Sequence, residues 1–272
     1  MKVTIAGGDE RMIYVARDLK EAGFEIAEFA LNNSNLTMKE ALKNSDIAVL
    51  PLPCEKGGIL NAPTSNEQIN VGAFIDSAEP STLILGGNLP IANERLIDYA
   101  KREDFLLMNA LATAEGAIEI ALSELQITLH GANALILGFG RIGGRLLKLL
   151  NGFGASTTVA ARRSESRTHA EIQGASAVDF NELYSLLPHF DVVFNTVPHK
   201  IMSYRELSSL KTGAVVIDLA SGEGGADKST ARELGIRLIH ALALPGKTAP
   251  KAAGKAISKA ILAILRERGM LE

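Results

Sequence analysis

The chain has 272 residues, 47% of them hydrophobic, a formal net charge of -3, 28 scattered basic residues, 5% aromatics and no tryptophan. That composition suits two ordinary domains, each with its own core, and argues against nucleic acid as the main partner. No apolar stretch approaches the ~20 residues of a membrane span and the N-terminus opens directly on a strand, so a cytoplasmic, soluble protein is expected. The single cysteine, Cys54, excludes an internal disulfide and a cysteine-based metal site, and reads as a small buried residue at a strand end.

Short apolar runs alternate with longer amphipathic segments, the pattern of parallel strands joined by helices, so the chain reads as α/β from end to end. Residues 3–6 predict a first strand, Gly7-Gly8-Asp9 a turn, and residues 11–22 a helix. Further strands are expected at 25–29, 47–50, 83–85 and 105–108, which makes a small open-sheet domain. Pro51, Pro53, Gly57, Gly58 and Pro63 mark a loop after the third strand, on the edge where such sheets place ligands. Residues 113–125 read as a connecting helix, with Thr113 as N-cap and Glu115 in its first turn.

A second sheet starts at residues 134–137 and leads into Gly138-Phe139-Gly140-Arg141-Ile142-Gly143, followed by a helix to about Leu150. The three glycines permit the tight turn, the approach of a pyrophosphate and close helix–strand packing, with the diphosphate on the helix N-terminus near Arg141 and Ile142. At the end of the next strand, 157–160, an NAD site usually carries an acid; here stand Arg162, Arg163 and Ser164. Two guanidinium groups and a hydroxyl suit a 2′-phosphate, so NADP is expected over NAD. Strands at 192–194 and 215–217 end in Asn195-Thr196-Val197-Pro198 and Asp218-Leu219-Ala220-Ser221. Thr196, Val197 and Pro198 are candidate cofactor contacts; Asp218 is either another or a structural residue satisfied by local amides. A last strand at 237–241, a loop at 241–250 and a helix at 251–268 with Ile257, Ile261 and Ile264 on one side complete the chain. The expected domains are residues 1–112 with a linking helix at 113–127, a Rossmann domain at 128–248, and a helix at 249–272 returning to the first domain, with a hinged cleft as active site.

The motifs IAGGDER at 5–11, NALATAEGAIEIAL at 109–122, TLHGANALILGFGRIG at 128–143, NTVP at 195–198, DLAS with the glycines up to 225, and LPGKTAPKAAG at 244–254 together resemble the A-type subunits of dipicolinate synthase. The domain order is also similar to that of the formate/glycerate dehydrogenases, which join a flavodoxin-like domain to a doubly wound Rossmann domain. The resemblance implies NADP-dependent oxidation of dihydrodipicolinate, or its hydrated precursor, to dipicolinate in sporulation, with the flavoprotein-like B-type subunit of the synthase as partner, no metal, and a homo-oligomeric chain. A dicarboxylate substrate then needs cationic or amide partners. Gly8, Asp9, Arg11, Thr113, Ser221 and Lys247 are the candidates; Glu115, Lys247 and His199 are the candidates for proton handling. For Arg11 and Lys247 the alternative is a solvated charge, for Glu115 a favourable first-turn charge, and for His199 an incidental histidine; His130 and His240 read as structural. Gly222 and Glu223 follow DLAS, where the family commonly has an arginine. Other readings are a 2-hydroxyacid dehydrogenase, which would need a histidine before the last helix; a shikimate-dehydrogenase-like enzyme, for which Lys56 is the loop lysine to test; and a non-catalytic NADP-binding subunit.

Overall fold

The computed structural model describes residues 1–31, 34–91 and 93–271. Tertiary contacts divide the chain into two compact units, Met1–Asn109 with Pro245–Glu272, and Ala110–Leu244.

In the first unit β1 (Lys2–Ala6), α1 (Glu10–Glu21), β2 (Glu25–Phe29), α2 (Met38–Leu42) and β3 (Ile47–Val49) follow in order. Next come the short antiparallel pair β4 (Glu55–Lys56) and β5 (Ile59–Leu60), then α3 (Val71–Ser77), β6 (Leu83–Gly86) and β7 (Leu96–Asp98). The main sheet is parallel throughout, in the order β2-β1-β3-β6-β7. Period-2 alternation sends Val3, Ile5, Ile47, Val49, Leu83 and Leu85 to one face and Ala48, Leu50 and Ile84 to the other. Both faces are buried, which is why these strands read as unbroken apolar runs.

A strand at 105–108 was expected, but those residues lie in α4 (Glu103–Glu124), and the fifth strand is the three-residue β7. Leucine, methionine and alanine are good helix formers, and Phe105 packs edge-on to the buried ring of Tyr99 at 5.7 Å. The helix starts on the acidic first turn of Glu103 and Asp104, ten residues before the expected N-cap, so Thr113 and Glu115 are interior positions. At 22 residues α4 is long and apolar enough to cross a membrane by length and composition, contrary to the expectation from the sequence; half of its apolar window is buried inside the protein.

The second unit runs β8 (Asn133–Leu137), α5 (Arg141–Phe153), β9 (Ser156–Ala160), α6 (Ser164–Ile172), β10 (Ser176–Val178), β11 (Val192–Asn195), α7 (Tyr204–Leu207), β12 (Val215–Asp218), α8 (Lys228–Glu233) and β13 (Arg237–His240). Its six strands are parallel in the order β10-β9-β8-β11-β12-β13, the doubly wound Rossmann arrangement. Ala134, Ile136, Phe194 and Ile217 meet Ala117, Ala121, Leu146 and Leu150 on one face. Leu135, Leu137, Val193 and Val216 meet Leu183, Leu187 and Leu207 on the other.

The segment expected as a loop at 241–250 holds a short helix, α9 (Leu244–Thr248), before α10 (Pro250–Glu267). Within the first unit Ile257, Ile261, Ile264 and Leu265 of α10 share a core with Val15 and Leu19 of α1. The two helices pass closely at Gly254, where a Cβ would lie 2.6 Å from the Arg11 carbonyl oxygen. Arg102 ties the end of α10 down, its Nη1 and Nη2 donating to Glu267 Oε2 and Oε1 at 2.7 and 2.8 Å.

Candidate functional site

In the Rossmann unit the chain leaves β8 through Gly138, whose φ of +88° only glycine adopts without strain, and its N–H donates to the Ala160 carbonyl at 2.9 Å. A Cβ at Gly143 would lie 2.5 Å from the Gly138 carbonyl oxygen, so helix and turn can close only over a hydrogen. At Gly140, the N-cap of α5, the position of a Cβ is open and no side chain caps the helix. The turn therefore presents an uncapped 13-residue helix with free space at its N-terminus, an arrangement that fits a diphosphate.

Arg162, Arg163 and Ser164 follow β9 directly and are exposed. They stand beside the glycine turn because β9 pairs with β8 through Ala160 and Leu137. Arg167, one turn into α6, is not among them: its Nη1 donates to the carbonyls of Ala161 at 2.7 Å and Arg162 at 2.9 Å and to Asp179 Oδ2 at 3.0 Å.

The ends of β11 and β12 are joined by a buried polar network that favours the structural reading of Asp218 over the cofactor contact. Asn195 and Asp218 are opposite each other in the sheet register, and Asn195 Nδ2 donates to Asp218 Oδ1 at 2.8 Å. The same oxygen accepts from the Ala220 amide, while Oδ2 accepts from the amides of Gly225 at 2.7 Å and Ala226 at 3.0 Å. Four donors saturate a carboxylate that is 1% exposed, so Asp218 is a structural group that shapes the glycine loop after β12. Val197 is likewise taken on both backbone sides, its N–H by Asn195 Oδ1 and its carbonyl by Asn195 Nδ2. Only its side chain, which faces Gly138, and the hydroxyl of Thr196, which donates to Leu137, border the turn. Pro198, His199 and Ser221 are exposed, and Gly222 and Glu223 form an open surface turn. His240 contacts the Ala220 carbonyl through Nε2 at 3.0 Å. In α4, Thr113 is buried and Glu115 exposed in mid-helix, so neither opens a helix as expected.

The first unit gathers a second set of residues at the carboxyl end of β1. Asp9 caps α1 by accepting from the Arg11 amide and also receives Arg11 Nε and Nη2 at 2.8 and 2.9 Å. Arg11 Nη2 donates in addition to the Leu52 carbonyl at 2.6 Å, beyond the end of β3. Arg11 is buried and paired, not a solvated charge, and Nη1 is the nitrogen that Asp9 and Leu52 leave over. The amide of Gly8, a candidate ligand donor, is committed to the Asn61 carbonyl at 2.7 Å, as that of Gly7 is to the Phe29 carbonyl at 2.8 Å. α9 completes the cluster: a Cβ at Gly246 would lie 3.0 Å from Arg11 Nε, and exposed Lys247 follows it. The sequence had paired Arg11 with Lys247, but Asp9 as the partner of Arg11 and Leu52 as its anchor emerge only from the fold. Nearby Cys54 is fully buried, its thiol donating to the Asn88 carbonyl at 3.4 Å, and burial pushes its pKa up to about 11.

Both units have counterparts among known proteins. Residues 2–111 match the N-terminal domain of the dipicolinate synthase A-type subunits, and residues 109–244 match the NAD binding domain of D-isomer specific 2-hydroxyacid dehydrogenases. The A-type subunit of dipicolinate synthase from Bacillus subtilis (strain 168) is 28% identical over 98% of this chain and 96% of its own. Residues 109–244, half of the chain, belong to that NAD binding domain family, and over nearly its whole length the chain is similar to the A-type subunits of dipicolinate synthase. Solved structures of that subunit from Bacillus subtilis and Bacillus halodurans superpose with TM-scores of 0.88 and 0.86 at 27% and 26% identity, covering 100% and 97% of this chain and 98% and 97% of theirs. An NAD-dependent formate dehydrogenase from Staphylococcus aureus, 15% identical with a TM-score of 0.57 over 98% of this chain and 95% of its own, shares the fold. The chain is an NAD(P)-dependent oxidoreductase, and its NAD binding domain supports a nicotinamide dinucleotide as cofactor.

Proposed function

We propose that this chain is the dehydrogenase subunit of a dipicolinate synthase, oxidising dihydrodipicolinate, or its hydrated precursor after loss of water, to dipicolinate with NADP+. The observation that carries this reading is the end-to-end likeness to the A-type subunits, which spans the segment that holds Asp9 and Arg11 as well as the cofactor turn. When bound, the nicotinamide accepts the hydride that the substrate ring gives up on becoming aromatic. The chain's own residues then have two tasks: to hold a flat dianion and to take up one proton. Arg11 Nη1, oriented by the Asp9 fork, meets one carboxylate, and Lys247 the other; Glu115 and His199, both exposed, are the candidate proton acceptors. Arg162, Arg163 and Ser164 support NADP over NAD, because no acid stands at the end of β9 and both guanidinium groups are exposed. A flavoprotein-like B-type partner, a homo-oligomeric state and a cytoplasmic, sporulation-linked role belong to the same reading.

The test has two arms. NADPH should bind more tightly than NADH in fluorescence titrations, and Arg162→Ala or Arg163→Ala should cost NADPH about 1.5 to 3 kcal/mol, the range for charge-assisted hydrogen bonds. Dihydrodipicolinate generated in situ, with this chain, NADP+ and a B-type partner, should give the absorbance of the aromatic product. Lys247→Ala should weaken dipicolinate binding roughly 10- to 150-fold by the same contact range. Lys247 is the cleaner probe, since replacing Arg11 also strips the helix cap of its partner. Oxidation of a 2-hydroxyacid, with no dipicolinate formed or bound, would overturn the substrate while leaving the cofactor assignment intact.

A further inference from the structure

We propose that Arg167 is a positioning residue that sets cofactor specificity: it neutralises the carboxylate of Asp179 beside the adenosine end of the cofactor site and fixes the peptides that carry Arg162 and Arg163. The inference deepens the NADP(H) reading and rests on it.

The parallel register of β9 and β10 places Val178 opposite Ala160, and the Ala161 amide donates to the Val178 carbonyl at 3.1 Å. Asp179 is thereby opposite Ala161, one strand outward from the position where an NAD site keeps its acid. An unpaired carboxylate there would repel a 2′-phosphate. It is paired: Arg167 Nη1 reaches Asp179 Oδ2 at 3.0 Å, with the two side chains 26% and 30% exposed, and Asp179 Oδ1 accepts from the amide and Nδ2 of Asn181. The same nitrogen donates to the carbonyls of Ala161 and Arg162, which belong to the peptide bonds just before Arg162 and Arg163. One side chain thus masks the carboxylate of Asp179 and holds the turn on which the guanidinium groups of Arg162 and Arg163 ride. Arg167, committed in this way, acts through Arg162 and Arg163 and not as a phosphate ligand.

Dissociation constants of NADPH and NADH, measured by fluorescence titration on the full chain for wild type, R167M, D179N and R167M/D179N, test this. R167M should weaken NADPH about tenfold or more, the scale of one uncompensated charge a few ångströms beyond contact in a partly solvated site, and NADH by less than about threefold. The double variant should regain part of the NADPH affinity, because the carboxylate that repels the phosphate is gone while the peptides before Arg162 and Arg163 stay unheld. Equal losses for both cofactors in R167M, or no recovery in the double variant, would overturn the proposal. Should R167M fail to fold, D179N decides alone: NADPH binding at least as tight as wild type is expected, and a loss confined to NADPH refutes the masking role. A wild type that prefers NADH would defeat the NADP reading, whereas the role of Arg167 is scored on the change in the ratio.

Discussion

Among individual residues, the chemistry of the Rossmann unit turns on which polar groups are already spent. From its place at a strand end Asp218 reads equally as a cofactor contact or as a structural residue, and its four hydrogen bonds, from Asn195 and three backbone amides, favour the structural role. Asp218→Asn would point an NH2 group at amides that need an acceptor, leaving buried donors unsatisfied, at a cost of roughly 2 to 4 kcal/mol. A thermal melt should show a clear drop in Tm, and an unchanged Tm would mean that the network is incidental. Arg11 teaches the reverse lesson. It is legible in the sequence as a charge near a ligand-binding edge, but Leu52, 41 residues away, is needed to fix its guanidinium.

Among the elements, α4 and α10 decide how much of the chain is helix and where the first unit closes. The residues at 105–108 are apolar enough for a strand, and only the packing of Phe105 on Tyr99 and the acidic first turn put them in a helix. α10 was legible because Ile257, Ile261 and Ile264 recur at helical spacing, and all three are buried. Its last residue, Glu267, is an acid at a helix C-terminus, where the dipole disfavours it, and the Arg102 fork offsets this. Arg102 holds the carboxyl of Glu267 below its ordinary value of 4.5, and that of Asp104 below 3.8. A depressed folded-state pKa contributes stability that is present above the ordinary carboxylate range and lost as pH falls through the lowered value. The Tm difference between wild type and Glu267→Gln should therefore be present at pH 7 and vanish on acidification; a difference that grows toward low pH would contradict the pairing. Because both carboxylates are largely exposed, high salt should shrink the effect.

For the molecule as a whole, the first unit is discontinuous in sequence, since Pro245–Glu272 belongs with Met1–Asn109. A chain ending at Leu244 would lose Ile257, Ile261, Ile264 and Leu265 from the core that faces α1. Each such side chain contributes about 1.5 to 3 kcal/mol of burial, so the first unit should unfold while the second, with its own cores, retains binding of a nicotinamide dinucleotide. Calorimetry and cofactor titration on the shortened chain check this. Two intact transitions would show that α10 is dispensable.

The parallel α/β character, the glycine turn, the basic residues at the end of β9 and the likeness to dipicolinate synthase A-type subunits are all legible in the sequence, because they are carried by local periodicity, by residues a few positions apart, or by motifs that keep their spacing. The start of α4, the saturation of Asp218, the Asp9–Arg11–Leu52 anchor and the Arg167–Asp179 pair come from the fold alone. Each of these depends on whether a polar or apolar group finds its partner on another element, and hydrogen-bond satisfaction and packing are properties of neighbours in space that no sequence window contains.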